Sequence, residues 1–174
     1  SHIPLYAQIV TRVREMIAAY VRKTGNKVLV CGEMTYPVPM AKEVLLDPLP
    51  ADVKRNVVWR DSFWFTYEAA AVFARCQTVV CVDCHSPIIA LAHGVPGFYV
   101  RQPTDTCKGQ MFHDVGVSPW IFEVDETSGP QLWSRLEEIH RDPAKARAHV
   151  QTVMTGVDKL QRRMVDVLRA AASA

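Results

Sequence analysis

The sequence predicts an α/β domain built on a parallel sheet, and three observations lead to that fold class. Short continuous apolar runs, typical of strands that are buried on both faces, recur along the chain. Segments with helical spacing or helix-start signals separate these runs. The chain has 174 residues, of which 49% are apolar, and this is enough for one packed core. The alternation favours right-handed crossovers with helices on both faces of the sheet, which is a Rossmann-like arrangement.

The individual elements follow from these patterns. Strands are predicted at residues 27–31, 56–59, 78–82, 97–100 and 120–122. Helices are predicted at residues 5–24, 67–75, 87–93, 131–140 and 143–170. Thr66 and Ser86 have side chains that suit a helix N-cap, and Gly94 is a typical helix stop. Residues 32–55 hold four prolines and are expected to be irregular, apart from a short helix at residues 40–46. Residues 101–116 are expected to form a long polar loop.

The composition excludes several classes of protein. The net charge is only +2, so we expect no broad electrostatic footprint for nucleic acid or for an anionic membrane. No apolar run approaches the roughly 20 residues that span a bilayer. The five cysteines are an odd number, and three of them lie in or beside apolar segments. This usage indicates buried, reduced thiols and a cytoplasmic protein.

His85 is the first candidate for a functional residue. Ligands of open parallel sheets bind beyond the carboxyl ends of the strands, and His85 follows the strongest predicted strand. Its imidazole is expected to face the cleft, close to backbone N–H groups that favour anions. In that place it can contact a phosphate or carboxylate, or move a proton near neutral pH. The alternative is a histidine whose hydrogen bonds are satisfied by neighbouring backbone.

Four further candidates are expected at the same edge of the sheet. Glu33 follows the first strand, and Ser86 lies in the turn beside His85. Arg101 and Lys108 are cations in the polar segment after the fourth strand, where Lys108 can present an ammonium group to an anionic ligand. A solvated surface loop is the alternative interpretation of that segment.

The stretch from Cys81 to His85 also matches the C-x-x-C-H pattern of covalent haem attachment. Its first cysteine is predicted within a packed strand, which disfavours both haem and a thioredoxin-like pair, because the reactive thiol of such a pair must be exposed. Zinc would need two further ligands, and Cys107 and His113 are candidates with a spacing that matches no known zinc finger. The sequence therefore implies no metal and no cofactor.

The run from residue 75 to residue 96 resembles the polysaccharide pyruvyl transferase family, whose members share the two-domain architecture of GT-B glycosyltransferases. In the C-terminal domain of that family, an apolar strand and a motif ending in Arg-Leu-His lead into a helix that closes with Gly-x-Pro. His85 matches the histidine of this motif, and Gly94-Val95-Pro96 matches the close. Cys107-Lys108-Gly109 lies where the family often has a Tyr-Gly-Lys-type loop.

The resemblance implies transfer of a pyruvyl group from phosphoenolpyruvate to two hydroxyls of a saccharide, forming a cyclic ketal. His85 would be the proton-transfer or phosphate-contact residue, and Lys108 and Arg101 would be the cationic contacts. The clearest departure is Asp83, which occupies the position of the motif's arginine. A cation that would hold a carboxylate or phosphate is therefore missing from that position.

The resemblance also implies that residues 3–174 form a single domain that corresponds to the C-terminal half of a GT-B enzyme. Such enzymes work in the cleft between two domains, so the expected partners are a missing N-terminal domain, phosphoenolpyruvate or a nucleotide-sugar, and a saccharide acceptor. Two other functions stay open: a nucleotide-sugar-binding domain of a glycosyltransferase or epimerase, and a GT-B-like binding domain without catalysis. The helix after His85 has no glutamate, which counts against the first of these, and Asp83 favours the second.

Overall fold

The computed structural model describes residues 3–33, 37–105 and 107–173. The α-helices in these residues are α1 (Ile3–Thr24), α2 (Pro37–Ala41), α3 (Ala51–Lys54), α4 (Thr66–Phe73), α5 (His85–Ala92), α6 (Lys108–Asp114), α7 (Gly129–Arg141) and α8 (Pro143–Ala172). Shorter helical turns are the π-helical Lys42–Leu46 and the 3₁₀-helical Pro103–Asp105 and Ser118–Trp120. The strands are β1 (Val28–Val30), β2 (Val57–Trp59), β3 (Val79–Cys81), β4 (Gly97–Arg101) and β5 (Ile121–Glu123).

The predicted α/β class is confirmed, and the described strands pair in parallel. β1 pairs with β2, and β4 lies between β3 and β5. The five predicted strands are all present, each within one or two residues of its expected bounds. The expected single sheet is formed as two small parallel sheets with helices around them. At the carboxyl ends of the strands, the Glu33 carboxylate connects the two sheets through hydrogen bonds from Ser86, as described below.

Two hydrophobic clusters hold the helices against the strands. The larger one contains Phe98, Tyr99 and Val100 of β4, which are fully buried, and side chains from α1, α7 and α8 pack with them. The smaller one joins α4 and α5 to β3 and includes Phe73 and Val79. Burial of one such aromatic side chain stabilises a fold by about 2–3 kcal/mol. β4 is therefore the best-anchored strand, and it fixes the edge from which the polar segments leave.

The helix that carries His85 begins earlier than the sequence predicts. α5 starts at His85 itself, and Cys84 is its N-cap residue. Ser86 therefore lies inside the first turn, and the prediction that it caps the helix is wrong. The end of the helix is as predicted, because Gly94 has a φ of +76°, a left-handed conformation that glycine adopts without a steric penalty.

Three further details differ from the sequence-based expectation. Phe65, not Thr66, is the N-cap residue of α4. The proline-rich residues 32–55 hold the short helices α2 and α3 in addition to a helical turn at Lys42–Leu46, where a short helix is expected. Residues 101–116, expected to be a loop, contain α6. Packing explains the last difference, since Phe112 is almost fully buried in the larger cluster and its burial favours a helix that local propensity alone does not predict.

The last helix extends beyond the body of the domain. Val150 and Val153 of α8 are buried in the larger cluster, but every described residue from 158 to 173 is exposed. Leu160 and Met164 continue the same apolar stripe and remain more than half exposed. The outer turns of α8 therefore contribute little to the core. Among the described helices, none has the combination of length and apolar character that a membrane crossing requires.

Candidate functional site

Titratable side chains gather where three strands end. Glu33 follows β1, Asp83 and His85 follow β3, and Asp105 lies beyond β4. The strands within each sheet are parallel, and a contact from Glu33 to Ser86 connects the two sheets. These groups consequently lie at one edge, which we call the carboxyl edge. It is the position at which ligands of open α/β sheets bind.

Glu33 and Ser86 bind each other across this edge. The Glu33 carboxylate accepts the backbone N–H of Ser86 at 2.9 Å and its hydroxyl at 2.8 Å. The same carboxylate accepts a long hydrogen bond from the Cys81 thiol at 3.5 Å. A negative charge at the positive end of α5 is electrostatically favourable. The two residues predicted as substrate contacts are thus partners of one another, and Glu33 occupies one of the N–H groups expected to favour an anionic ligand.

His85 and Asp83 form a close pair at the start of α5. The Nδ1 atom of His85 lies 2.7 Å from Oδ1 of Asp83, and the backbone N–H of His85 donates to the same oxygen at 3.3 Å. The His85 side chain is 61% exposed. When Nδ1 carries the proton that Asp83 accepts, the neutral ring leaves Nε2 free to accept a proton from solvent or from a ligand. Asp83 therefore sets the tautomer and the orientation of an accessible imidazole.

Lys108 provides a cation next to this pair. It begins α6, and its Nζ atom lies 3.9 Å from Oδ2 of Asp83. Partial burial raises the pKa of Asp83, but the hydrogen bonds from His85 and Cys84 and the positive charges of His85 and Lys108 outweigh it and lower the pKa overall. Asp83 is therefore a carboxylate at neutral pH. Lys108 and His85 therefore both contact Asp83, and their membership of one binding site stays a prediction.

Arg101 has a protein partner in the neighbouring strand. Its Nε atom lies 3.1 Å from Oε1 of Glu123, the residue opposite it in the β4–β5 ladder. Its guanidinium group packs against Gly109 so closely that a methyl group at that position would overlap it. Arg101 thus connects β4, β5 and the first turn of α6. Its predicted contact with an anionic substrate stays a prediction.

Tyr99 and Asp105 form a buried contact that the sequence-based reasoning missed. The Tyr99 hydroxyl donates to Oδ2 of Asp105 at 3.0 Å, and the backbone N–H of Gln102 donates to the same oxygen at 3.0 Å. Burial and the charge of Asp105 raise the pKa of Tyr99, so the phenol stays protonated. The contact fixes the turn between β4 and α6. The sequence signal for this contact is Tyr99 itself, because a tyrosine in an apolar strand needs a hydrogen-bond partner for its hydroxyl.

One group of described residues has the spacing of a metal site. Ligand atoms of Asp83, Cys84 and His85 all lie within 4.8 Å of one another. To bind a cation, Cys84 must lose its proton, although burial and Asp83 raise its pKa, and Asp83 must release His85. The nearby Lys108 ammonium also opposes a cation. His113, a candidate zinc ligand from the sequence, instead has its Nδ1 atom 2.9 Å from the hydroxyl of Ser118.

The cysteines differ sharply in their expected reactivity. All five are free thiols, and Cys107 is exposed. Burial raises the pKa of Cys31 to about 11 and raises the pKa of Cys81 further. A rise of two pKa units lowers the thiolate fraction at pH 8 about 100-fold, and the thiolate is the species that reacts.

Iodoacetamide at pH 8 is therefore expected to alkylate the exposed Cys107 at least about tenfold faster than Cys31 or Cys81, which are only partly exposed and form little thiolate. Peptide mass spectrometry after short pulses measures the rates, and the urea-unfolded chain is the control in which the three rates should converge. Equal labelling of Cys81 and Cys107 in the folded protein would contradict the raised pKa of Cys81.

The geometry shows an imidazole–carboxylate pair, His85 and Asp83, with the cation Lys108 next to it, on an edge that also carries Glu33 and Asp105. An oriented imidazole of this kind can act as a general acid and base. Comparisons of the chain with protein-family models, with curated proteins and with solved structures found no match.

Proposed function

We propose that this chain is the domain of a polysaccharide pyruvyl transferase-like enzyme that carries its proton-transfer residue, and that the enzyme transfers a pyruvyl group from phosphoenolpyruvate to a saccharide. The observation that carries the proposal is the Asp83–His85 pair, with its exposed imidazole at the carboxyl edge. The resemblance of residues 75–96 supplies the substrates. The free thiols agree with a reducing compartment, so the proposed location is the cytoplasm.

The chemistry needs a group that first donates a proton and then accepts one. Ketal formation adds a proton to the methylene carbon of phosphoenolpyruvate, joins two saccharide oxygens to the adjacent carbon and releases phosphate. In the proposal, protonated His85 gives its Nε2 proton to the methylene carbon and then takes the proton of the first attacking hydroxyl. The proton of the second hydroxyl leaves with the phosphate, so that all atoms and charges balance. General acid–base catalysis by a positioned histidine contributes about 10²–10⁴-fold in rate.

The departure at Asp83 supports a proton-transfer role for His85 over a phosphate-contact role. A carboxylate 2.7 Å from Nδ1 stabilises the imidazolium that donates the proton and keeps Nε2 directed away from the protein. An arginine in that position would instead attract the phosphate. Lys108 is the remaining cation beside the pair, and in the proposal it contacts the phosphate or carboxylate of phosphoenolpyruvate.

One observation favours a second candidate, a saccharide-binding domain that has lost the transfer reaction. Three carboxylates, those of Glu33, Asp83 and Asp105, lie at the carboxyl edge with two cations, Lys108 and Arg60, while Arg101 is paired with Glu123. This balance opposes a strongly anionic ligand but suits neutral hydroxyl groups. A nucleotide-sugar is less favoured than either, because its diphosphate would compete with Glu33 for the first turn of α5.

Titration of the whole chain with phosphoenolpyruvate, followed by calorimetry or by NMR shifts, tests the proposal. Saturable binding is expected, and His85→Ala and Lys108→Ala should each weaken it at least about 10-fold, because each removes a positive charge, the donor imidazolium or the ammonium, beside the anionic substrate. His93→Ala and Lys145→Ala are matched controls, since both side chains are exposed and lie away from the edge, at the end of α5 and in α8.

Two results would remove the proposal. One is phosphoenolpyruvate binding that His85→Ala and Lys108→Ala leave unchanged, because the site would then lie elsewhere. The other is no binding of phosphoenolpyruvate together with saturable binding of uridine diphosphate, which would favour a nucleotide-sugar domain. Saccharide binding without phosphoenolpyruvate binding would favour the second candidate.

A further inference from the structure

Three aromatic rings lie exposed on the segment between β2 and α4 and at the first turn of that helix. Phe63 is 42% exposed, Phe65 is 62% exposed and Tyr67 is 72% exposed. We call these three residues the aromatic platform. Single exposed apolar residues are common on protein surfaces, but three large rings in contact within five residues form a continuous apolar patch, and such patches mark binding sites.

The rings are arranged as an ordered surface. Phe65 and Tyr67 stack with an interplanar angle of 8° and a centroid separation of 5.9 Å. Phe63 meets Phe65 edge-on, at 77° and also at 5.9 Å. Each contact is one of the geometries that the quadrupoles of aromatic rings favour. The platform therefore offers ring faces and edges to solvent in a defined orientation.

Buried neighbours hold the platform in place. Trp64, between the exposed Phe63 and Phe65, is buried and packs edge-on against Phe73 with ring centroids 5.7 Å apart. The Arg60 guanidinium lies 4.7 Å from the centroid of the Trp64 ring. Glu68 accepts the backbone N–H of Phe65 at 2.8 Å. Trp64 thus anchors the segment in the core while the residues on either side of it are exposed, so the rings are presented by an anchored backbone.

The platform lies on the same side of the molecule as the proposed proton-transfer pair. It follows the carboxyl end of β2, which is parallel to β1 and paired with it, and Glu33 follows the carboxyl end of β1. α4 begins at the platform and packs against α5, which begins at His85. The rings and the pair therefore belong to segments that follow the strands at the same edge and that lead into two helices packed against each other.

We propose that the aromatic platform is the subsite that binds the acceptor saccharide, with a neutral pyranose ring packed on Phe65 and Tyr67. The C–H bonds on one face of a pyranose carry partial positive charge and are attracted to the negative face of an aromatic ring. Arg60 and Glu68, which contact the Trp64 ring and the backbone of Phe65, carry opposite charges. The charge beside the rings therefore balances, which suits a neutral ligand better than a nucleotide or another polyanion. This inference depends on the proposed function only in naming the saccharide as an acceptor.

Saturation-transfer difference NMR of the whole chain tests the proposal with three neutral probes: the methyl glycosides of β-galactose, β-glucose and α-mannose. At least one probe is expected to bind. Phe65→Leu and Tyr67→Leu keep an apolar side chain but remove the ring, and each should weaken binding about 10-fold. Tyr67→Phe keeps the ring and should stay within about twofold of the unchanged protein. Leu168→Ala is the matched control, because Leu168 is as exposed as Phe65 but lies on α8.

Three results would overturn the inference. They are a lack of transfer to any probe, a signal that persists in the double variant Phe65→Leu with Tyr67→Leu, and a self-association that the same double variant abolishes. The test is separate from that of the proposed function. If the platform fails, phosphoenolpyruvate still binds and still depends on His85. If the proposed function fails, the glycosides still bind and still depend on Phe65 and Tyr67.

Discussion

Substitution of Gly97 by alanine is expected to destabilise the protein by about 3 kcal/mol and to displace the helix that carries His85. A Cβ atom at position 97 would lie 2.8 Å from both Cα and the carbonyl oxygen of Pro87, and 2.9 Å from its Cβ. These atoms belong to the backbone and ring of the first turn of α5, so no flexible side chain can move away. Either β4 or α5 must shift, and both belong to packed clusters.

Thermal unfolding followed by tryptophan fluorescence measures this effect, and a fall in the melting temperature of about 10 °C is expected for a chain of this size. Gly156→Ala is the matched control. Gly156 lies within α8, and a Cβ atom there would meet no other atom within 4 Å. The same chemical change should therefore stabilise α8 by about 0.5–1 kcal/mol. Equal effects at the two positions would show that the contact with Pro87 does not constrain α5.

Substitution of Glu33 by alanine is expected to lower the free energy of unfolding by about 2 kcal/mol. The change removes the acceptor of two hydrogen bonds from Ser86 and one from Cys81, and it also removes the negative charge at the start of α5. It thereby breaks the hydrogen bonds that connect the segment after β1 to the first turn of α5. Denaturant unfolding measures the change, and the exposed Glu43→Ala should alter stability by less than about 0.5 kcal/mol.

A double-mutant cycle separates the contribution of the contact from other effects of the substitution. Glu33→Ala and Ser86→Ala together should destabilise by about 1 kcal/mol less than the sum of the single changes, because either substitution alone already breaks the hydroxyl bond. Additive effects would contradict the assigned contact. An unchanged stability of Glu33→Ala with a loss of phosphoenolpyruvate binding would return Glu33 to the substrate-contact role that the sequence predicts.

The predictable part of this fold is the part that local pattern determines. Apolar runs such as residues 78–82 favour a strand, so the strands and their parallel pairing follow from the sequence. Their expected burial on both faces is found in β4, whereas β3 is only partly buried. The position of His85 at the carboxyl edge follows in the same way, since the strand before it and the helix stop at Gly94 are both local signals. The sequence predicts that His85 and Lys108 belong to one site, but it does not predict that both contact Asp83.

The parts that the sequence does not reveal depend on contacts between distant residues. The hydroxyl of Ser86 suits an N-cap locally, but its actual partner, Glu33, lies 53 residues away. Compared with the arginine of the family motif, Asp83 indicates the loss of a cationic substrate contact. Only the distance of 2.7 Å between its Oδ1 atom and Nδ1 of His85 indicates that it orients the imidazole. Likewise, only the structure shows that Trp64 is buried while Phe63 and Phe65 are exposed, because three consecutive aromatic residues in a sequence do not indicate which of them faces the core.

The exposed outer half of α8 has a consequence for any measurement of stability. Residues 158–172 form about 22 Å of helix whose side chains are exposed, and an isolated helix of this length is marginally stable in water. Its turns should melt gradually, before the cooperative transition of the core, and exchange their amide hydrogens quickly. Helical ellipticity therefore reports a mixture of two processes in this protein, whereas fluorescence from the buried Trp64 and Trp120 reports the core alone.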